Sequence, residues 1–209
     1  MNPFHHASDE VLLQYANGSL GFPLSLVVAG HLDGCRQCRE TVALAESLGG
    51  IFLERAARDD IDPEALDRAL ERLDALTASG PVPTPQKPQD PGLPPSLRGQ
   101  PVRRRRWIGP GMWVRPMCKD KATGARAYLL GVAAGRAIPR HGHHGLEIGL
   151  IIRGNFVDEG VKYVAGDFFE IDDFRSHRPI VGAEEECVCA IGSQGVPTGW
   201  LGLVIRLAT

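Results

Sequence analysis

Two groups of histidine, cysteine and glutamate stand at spacings that suit metal ions. The first is His31-x3-Cys35-x2-Cys38. Zinc prefers four tetrahedral ligands drawn from thiolate and imidazole. Cys35 and Cys38 are three apart, so they project from one face of a helix start. His31 sits one helical turn upstream, at the end of a preceding helix. Three ligands thus converge on a junction between helices. A fourth must come from elsewhere, and His5 or His6, just before the first helix, can supply it. Metal would pin the N-terminal segment to that junction and contribute to folding a domain with little core to spare. A redox-active CxxC pair is the competing chemistry.

The second group is Gly135-x5-His141-x-His143-x3-Glu147-x6-Gly154. His141 and His143, two apart, face the same way on an extended strand. Glu147 follows four residues on, where the same face returns after a turn. Gly154 suits the tight turn that closes a hairpin. Gly166-x10-His177 adds a fourth ligand. Imidazoles with a carboxylate suit zinc, manganese, iron or nickel, and zinc is the expected divalent metal here. These spacings resemble the two motifs of cupin barrels. The second motif is degraded: Asp172, Phe174 and Val181 stand where Pro, Gly and Asn are usual. The ligand survives while the loop chemistry differs. His144 reads as a bystander, and an empty barrel with solvated histidines is the bland alternative.

The elements that must position these groups fall into two halves. Residues 1–79 read as a helical domain. Ser8 is a good N-cap, with Asp9 and Glu10 in the first turn, and Asn17-Gly18 stops that helix. A second helix runs from near Pro23 to about His31. A third begins near Cys35, with Val42, Ala45, Leu48 and Phe52 at helical spacing. A fourth starts at Asp62-Pro63 and carries Leu66, Leu70 and Leu73 on one stripe. Residues 80–102 are crowded with proline and read as an extended interdomain linker. Residues 103–209 read as an all-β barrel of the cupin, or jelly-roll, type. Its expected strands are Ala127–Ala133, Leu146–Arg153, Gly166–Ile171, Cys187–Ile191 and Leu201–Leu207.

The chain resembles the ChrR-type zinc-binding anti-sigma factors. The resemblance rests on three stretches: HHASDEVLLQYANGSL, SLVVAGHLDGCRQCRE and HGHHGLEIGLIIRGNF. It covers both halves, and the linker matches only in being proline-rich. It implies an all-α four-helix zinc-binding bundle followed by a cupin sensor domain. It assigns the N-terminal zinc ligands to His6, His31, Cys35 and Cys38, choosing His6 over His5. It also implies that the helical domain binds an extracytoplasmic-function sigma factor and blocks its access to RNA polymerase. The cupin would release that factor during singlet-oxygen stress.

Composition fits these readings. The 209 residues suffice for two small domains, and 43% hydrophobic content is ordinary for a globular chain. A net charge of −2 creates no field toward nucleic acid or an anionic membrane, so neither direct DNA binding nor membrane attachment is expected. The N-terminus lacks a signal-peptide layout, and the expected location is the cytoplasm. An odd count of five cysteines argues against a disulfide framework. Cys187 and Cys189 share one strand face and read as core residues, with oxidant sensing as the alternative; Cys118 carries no assignment. Arg103–Arg106 reads as a solvated linker end. The function that the resemblance implies is a non-enzymatic transcriptional regulator. The alternative is a metal-dependent cupin dioxygenase with a helical docking domain. A repressor that binds DNA through its helices is disfavoured, because no basic recognition helix is present.

Overall fold

A short apolar helix, α2 (Phe22–Leu32), sets the architecture. It carries Leu24, Leu26, Val27, Val28 and Leu32 around its circumference, and all five are buried. A helix that is apolar on every side must be covered on every side. The computed structural model describes residues 3–57, 60–77, 90, 92–100, 103–172, 176–195 and 197–209. In it, α1 (Asp9–Ala16) and α3 (Arg36–Arg55) flank one side of α2, and a β-sheet covers the other. The Ser8 hydroxyl caps α1 by accepting from the Val11 N–H at 3.3 Å.

The C-terminal half is a cupin-like β-sandwich. Its strands are β1 (Arg106–Gly109), β2 (Met112–Lys119), β3 (Arg126–Val132), β4 (Glu147–Arg153) and β5 (Asn155–Asp158). They continue as β6 (Val161–Val164), β7 (Phe168–Ile171), β8 (Ile180–Val181) and β9 (Cys187–Ser193). One sheet has the order β1-β2-β3-β9-β4-β7 and the other β6-β5-β8, with every pairing antiparallel. Strand alternation sends side chains to both faces of the larger sheet. Phe169, Cys187, Cys189 and Ile191 enter the core between the sheets. Ile148, Leu150, Phe168 and Ala190 point the other way, into a core shared with Leu24, Val27 and Val28 of α2. Both faces of the large sheet are therefore buried, one of them by the helical half. Gly30 makes the fit possible: a Cβ there would lie 3.1 Å from the Leu97 Cγ and 3.2 Å from the Leu150 Cδ2.

Among the described residues four helices precede residue 80, as expected; the last is α4 (Ala65–Thr77). Asp62 starts it, its carboxylate accepting from the Glu64 N–H at 3.0 Å. The expected stripe on α4 exists and faces solvent: Leu66, Leu70 and Leu73 are all exposed. The same holds for the far half of α3, where Leu48 is 50% and Phe52 72% exposed. Only the first turns of α3, with Cys38 and Val42, enter the core.

Two elements differ from the sequence expectation. Leu201–Leu207 is a helix, not a strand: α6 (Gly199–Ala208) buries Leu201, Ile205 and Ala208, a spacing of three to four that only a helix presents on one side. A continuous apolar run cannot be told from a strand by periodicity alone. Most of the proline-rich segment lies outside the described residues, as does Phe174. Its described end is not an extended spacer, because Pro95–Arg98 forms one helical turn, α5. Pro at the first helical position is pre-organised for that turn. Leu93 and Leu97 plug α5 onto α2 with 3% and 0% exposure. The basic run is partly engaged as well. Arg105 stacks 3.9 Å over the Trp113 ring, and Arg106 donates to the Leu207 and Ala208 carbonyls at the end of α6.

Leu97→Ala should lower stability by about 2–5 kcal/mol, the usual loss for a fully enclosed leucine. Leu66→Ala on exposed α4 should change it by no more than about 0.5 kcal/mol. Urea unfolding of both variants checks the contrast.

Candidate metal centres

The N-terminal group closes as the spacing requires. One ligand-type atom from each of His6, His31, Cys35 and Cys38 falls within 4.8 Å of the others. The His6 Nδ1 is 3.2 Å from the Cys35 Sγ and 3.6 Å from the Cys38 Sγ. Cys35 is the N-cap of α3, which places Cys38 one turn later on the same side. His31 ends α2 and is 2% exposed. Its Nδ1–H donates to the Gly166 carbonyl at 3.1 Å, which leaves the Nε2 lone pair buried without a hydrogen-bond partner. His5 is outside the group; its Nδ1–H donates to Asp167 at 3.0 Å.

Burial favours the neutral forms of these side chains. Burial, reinforced by the neighbouring Cys35 sulfur, pushes the Cys38 thiol up to about 12. Burial also pulls His31 down to about 4. Two thiols and two imidazoles packed together gain little from one another, whereas a dication would hold the sulfurs as thiolates and the rings neutral. The donor set therefore fits a tetrahedral thiolate–imidazole site.

The second group lies inside the sandwich. His141, His143 and His177 form a buried cluster. The His177 Nε2 is 3.0 Å from the His143 Nε2 and 3.1 Å from the His141 Nε2. Two of these tautomers are set from outside. The His141 Nδ1–H donates to the Pro139 carbonyl at 2.7 Å, and the His177 Nδ1–H to Asp158 at 2.8 Å. Their Nε2 atoms therefore carry lone pairs aimed at each other, an arrangement that a metal ion would relieve. Glu147 stands beside the cluster rather than within it, its Oε2 3.3 Å from the His143 Nδ1. His144 is exposed and away from the group, as expected. Backbone pairing of His141 with His177 ties the two motifs together.

Asp158 and Asp167 carry no site role in the sequence reading, and Gly166 enters it only through its spacing to His177. Each orients a histidine through a contact set by sheet pairing, and no local spacing announces it. Cys187 and Cys189 line the same interior, with sulfurs 3.7 Å apart. The contact with Cys187 and burial together push the Cys189 thiol well up, which keeps it protonated and poorly reactive. The cavity against the histidines is apolar and only about 40 Å3.

Comparison with known proteins places this architecture. Residues 102–197 match the family model of the ChrR cupin-like domain. Over 188 residues, 88% of this chain and 87% of the relative, the sequence is 35% identical to the anti-sigma-E factor ChrR of Cereibacter sphaeroides. The chain belongs to the ChrR anti-sigma factor family. A solved structure of Rhodobacter sphaeroides SigE in complex with the anti-sigma ChrR matches with a TM-score of 0.73 and 30% identity. That match covers 92% of this chain and 99% of the other. The ChrR likeness thus extends across both the helical half and the sandwich. No helix among the described residues is long and apolar enough to cross a membrane.

Asp158→Asn should weaken metal binding at the sandwich site by about 10–100-fold, the usual effect of removing a carboxylate behind a ligating histidine. Chelator competition on the full chain measures it, and an unchanged affinity would show that Asp158 plays no part.

Proposed function

We propose that this chain is a zinc-dependent anti-sigma factor that holds an extracytoplasmic-function sigma factor inactive in the cytoplasm. It releases that factor when the cupin meets an oxidative, singlet-oxygen-type signal. In this reading zinc sits on His6, His31, Cys35 and Cys38. A divalent metal, zinc ahead of manganese, iron or nickel, sits at His141, His143 and His177, with Glu147 swinging in from beside the cluster as the fourth ligand. Residues 1–79 form the inhibitory domain, 80–102 the connection and 103–209 the sensor. The chain acts through protein contacts, with no direct DNA binding.

The observation that carries the reading is the exposed apolar surface of α3 and α4. Leu44, Leu48, Ile51 and Phe52 on α3 and Leu66, Leu70 and Leu76 on α4 are all exposed. A helix of 13 residues such as α4 is marginal in water without packing. Large exposed apolar patches mark protein interaction sites. The family relative was solved with a sigma factor bound, which supports a sigma factor as the partner of this chain. Zinc would supply the rigidity that positions α3, because Cys35 and Cys38 occupy its first turn.

The dioxygenase alternative is the weaker reading. Substrate pockets span roughly 300–1,000 Å3. The cavity beside His141 and His177 is about 40 Å3, room for a few atoms. A small oxidant or its product is better matched to that space than an organic substrate.

The test is co-purification of the full chain with the sigma factor of its host. The wild type should retain it in one-to-one complex. Phe52→Asp combined with Leu70→Asp should weaken binding by roughly 1,000-fold, since two buried anchors at an interface are each worth about 2 kcal/mol or more. Retention of the complex by that double variant would refute the proposed surface.

His141→Ala and Glu147→Ala should still repress the sigma-dependent promoter and should fail to release it under singlet oxygen. Reporter induction equal to wild type would remove the sensor role from the cupin.

A further inference from the structure

The segment that precedes α1 is stitched to the sandwich by one buried carboxylate. Asp167 is 0% exposed. Its Oδ1 accepts from the Phe4 N–H at 2.7 Å and the His5 N–H at 3.1 Å. Its Oδ2 accepts from the His5 Nδ1–H at 3.0 Å and the Val164 N–H at 2.9 Å. Four donors around one buried carboxylate make a strong, geometrically exacting set. The stitching continues on both sides. The Phe168 N–H donates to the His5 carbonyl at 3.1 Å, and Glu170 accepts from the Ser8 N–H at 2.7 Å and hydroxyl at 2.8 Å. His6 lies between these anchors, so the sandwich fixes where its ring stands. His31 is held by the adjacent residue, since the Gly166 carbonyl sets its tautomer and orientation.

We infer that Asp167, with its neighbour Gly166, is a positioning residue for the N-terminal metal site. Two of that site's four ligands, His6 and His31, take their place from the turn between β6 and β7 of the cupin. The inference rests on the metal-site reading proposed above. It deepens that reading by naming the sandwich residues that complete the site. The other two ligands, Cys35 and Cys38, stand at the start of α3, where the Cys35 N–H donates to the His31 carbonyl at 2.9 Å. The site is thus split between two supports, and its affinity depends on how the supports are held together.

The same strand reaches the second cluster. Phe168 points outward, its ring centroid 5.2 Å from that of His31. Phe169, the next residue, points inward and lines the cavity beside His141 and His177. Ile171 pairs in register with Glu147 on β4. β7 and the turn before it thus connect the anchors of His6 and His31 to the strand face that lines the second cluster.

Cobalt(II) titration of the full chain tests the inference. In a Cys187→Ala/Cys189→Ala background, which removes the two thiols that line the cavity beside the histidine cluster, thiolate-to-cobalt charge-transfer bands report the N-terminal site rather than that cluster. That background should give those bands with the intensity of a tetrahedral site. Asp167→Ala should lower the cobalt affinity of that site by about 10–100-fold and alter its visible bands. Asp167→Asn, which keeps one acceptor oxygen, should fall between the two. His5→Ala, which removes only the Nδ1 contact, should give a smaller loss in the same direction; it carries the test with Asp167→Asn if the alanine variant does not fold. Folded Asp167 variants with unchanged affinity and band shape would overturn the positioning role. Absence of thiolate bands from that background would instead overturn the metal-site reading itself.

Discussion

Everything in this molecule leans on the burial of α2. Leu24, Val27 and Val28 are completely excluded from solvent. Each such side chain contributes roughly 1.5–3 kcal/mol when fully buried, as an upper range. Neither half can supply that burial alone, because α1 and α3 cover one side and the outer face of the six-stranded sheet the other. The ordinary expectation for two domains joined by a linker is a polar, movable interface. Here the interface is core, and the helix that forms it ends in His31, a member of the N-terminal cluster.

Both clusters share a chemical logic. In each, a backbone carbonyl or a buried carboxylate takes the Nδ1 proton of a histidine and leaves its Nε2 lone pair facing other donors. Gly166 does this for His31, Pro139 for His141 and Asp158 for His177. Lone pairs gathered in a low-dielectric interior repel one another, so such a site is costly until a cation enters it. The two clusters differ in donor softness. Thiolates in the first suit zinc, whereas the all-imidazole group with a nearby carboxylate is more permissive.

Much of this was legible in the sequence, for a definite reason. His31, Cys35 and Cys38 lie within one stretch of chain, and helix geometry turns their spacing into proximity. His141 and His143 are likewise close in sequence, and Gly166-x10-His177 belongs to a motif whose hairpin returns the last ligand. Partners set by long-range pairing could not be read. Asp167 meets Phe4 and His5 across more than 160 positions, and Asp158 meets His177 only because β5 pairs with β8. The run Leu201–Leu207 misled because unbroken hydrophobicity erases the difference between the two periodicities. The stripes on α3 and α4 were visible too, but whether they face an internal core or a partner depends on what packs there.

The bare apolar flank of α3 and α4 also has a consequence for the life of the molecule in a cell. Surfaces of that kind self-associate when concentrated, and a helix with no buried side chain is easily opened and cut. A copy of the chain made without its counterpart would be short-lived, while a copy with that flank covered would persist. Supply of the two proteins would then be balanced by survival, with any excess of this one cleared by quality-control proteases rather than tolerated as a reserve.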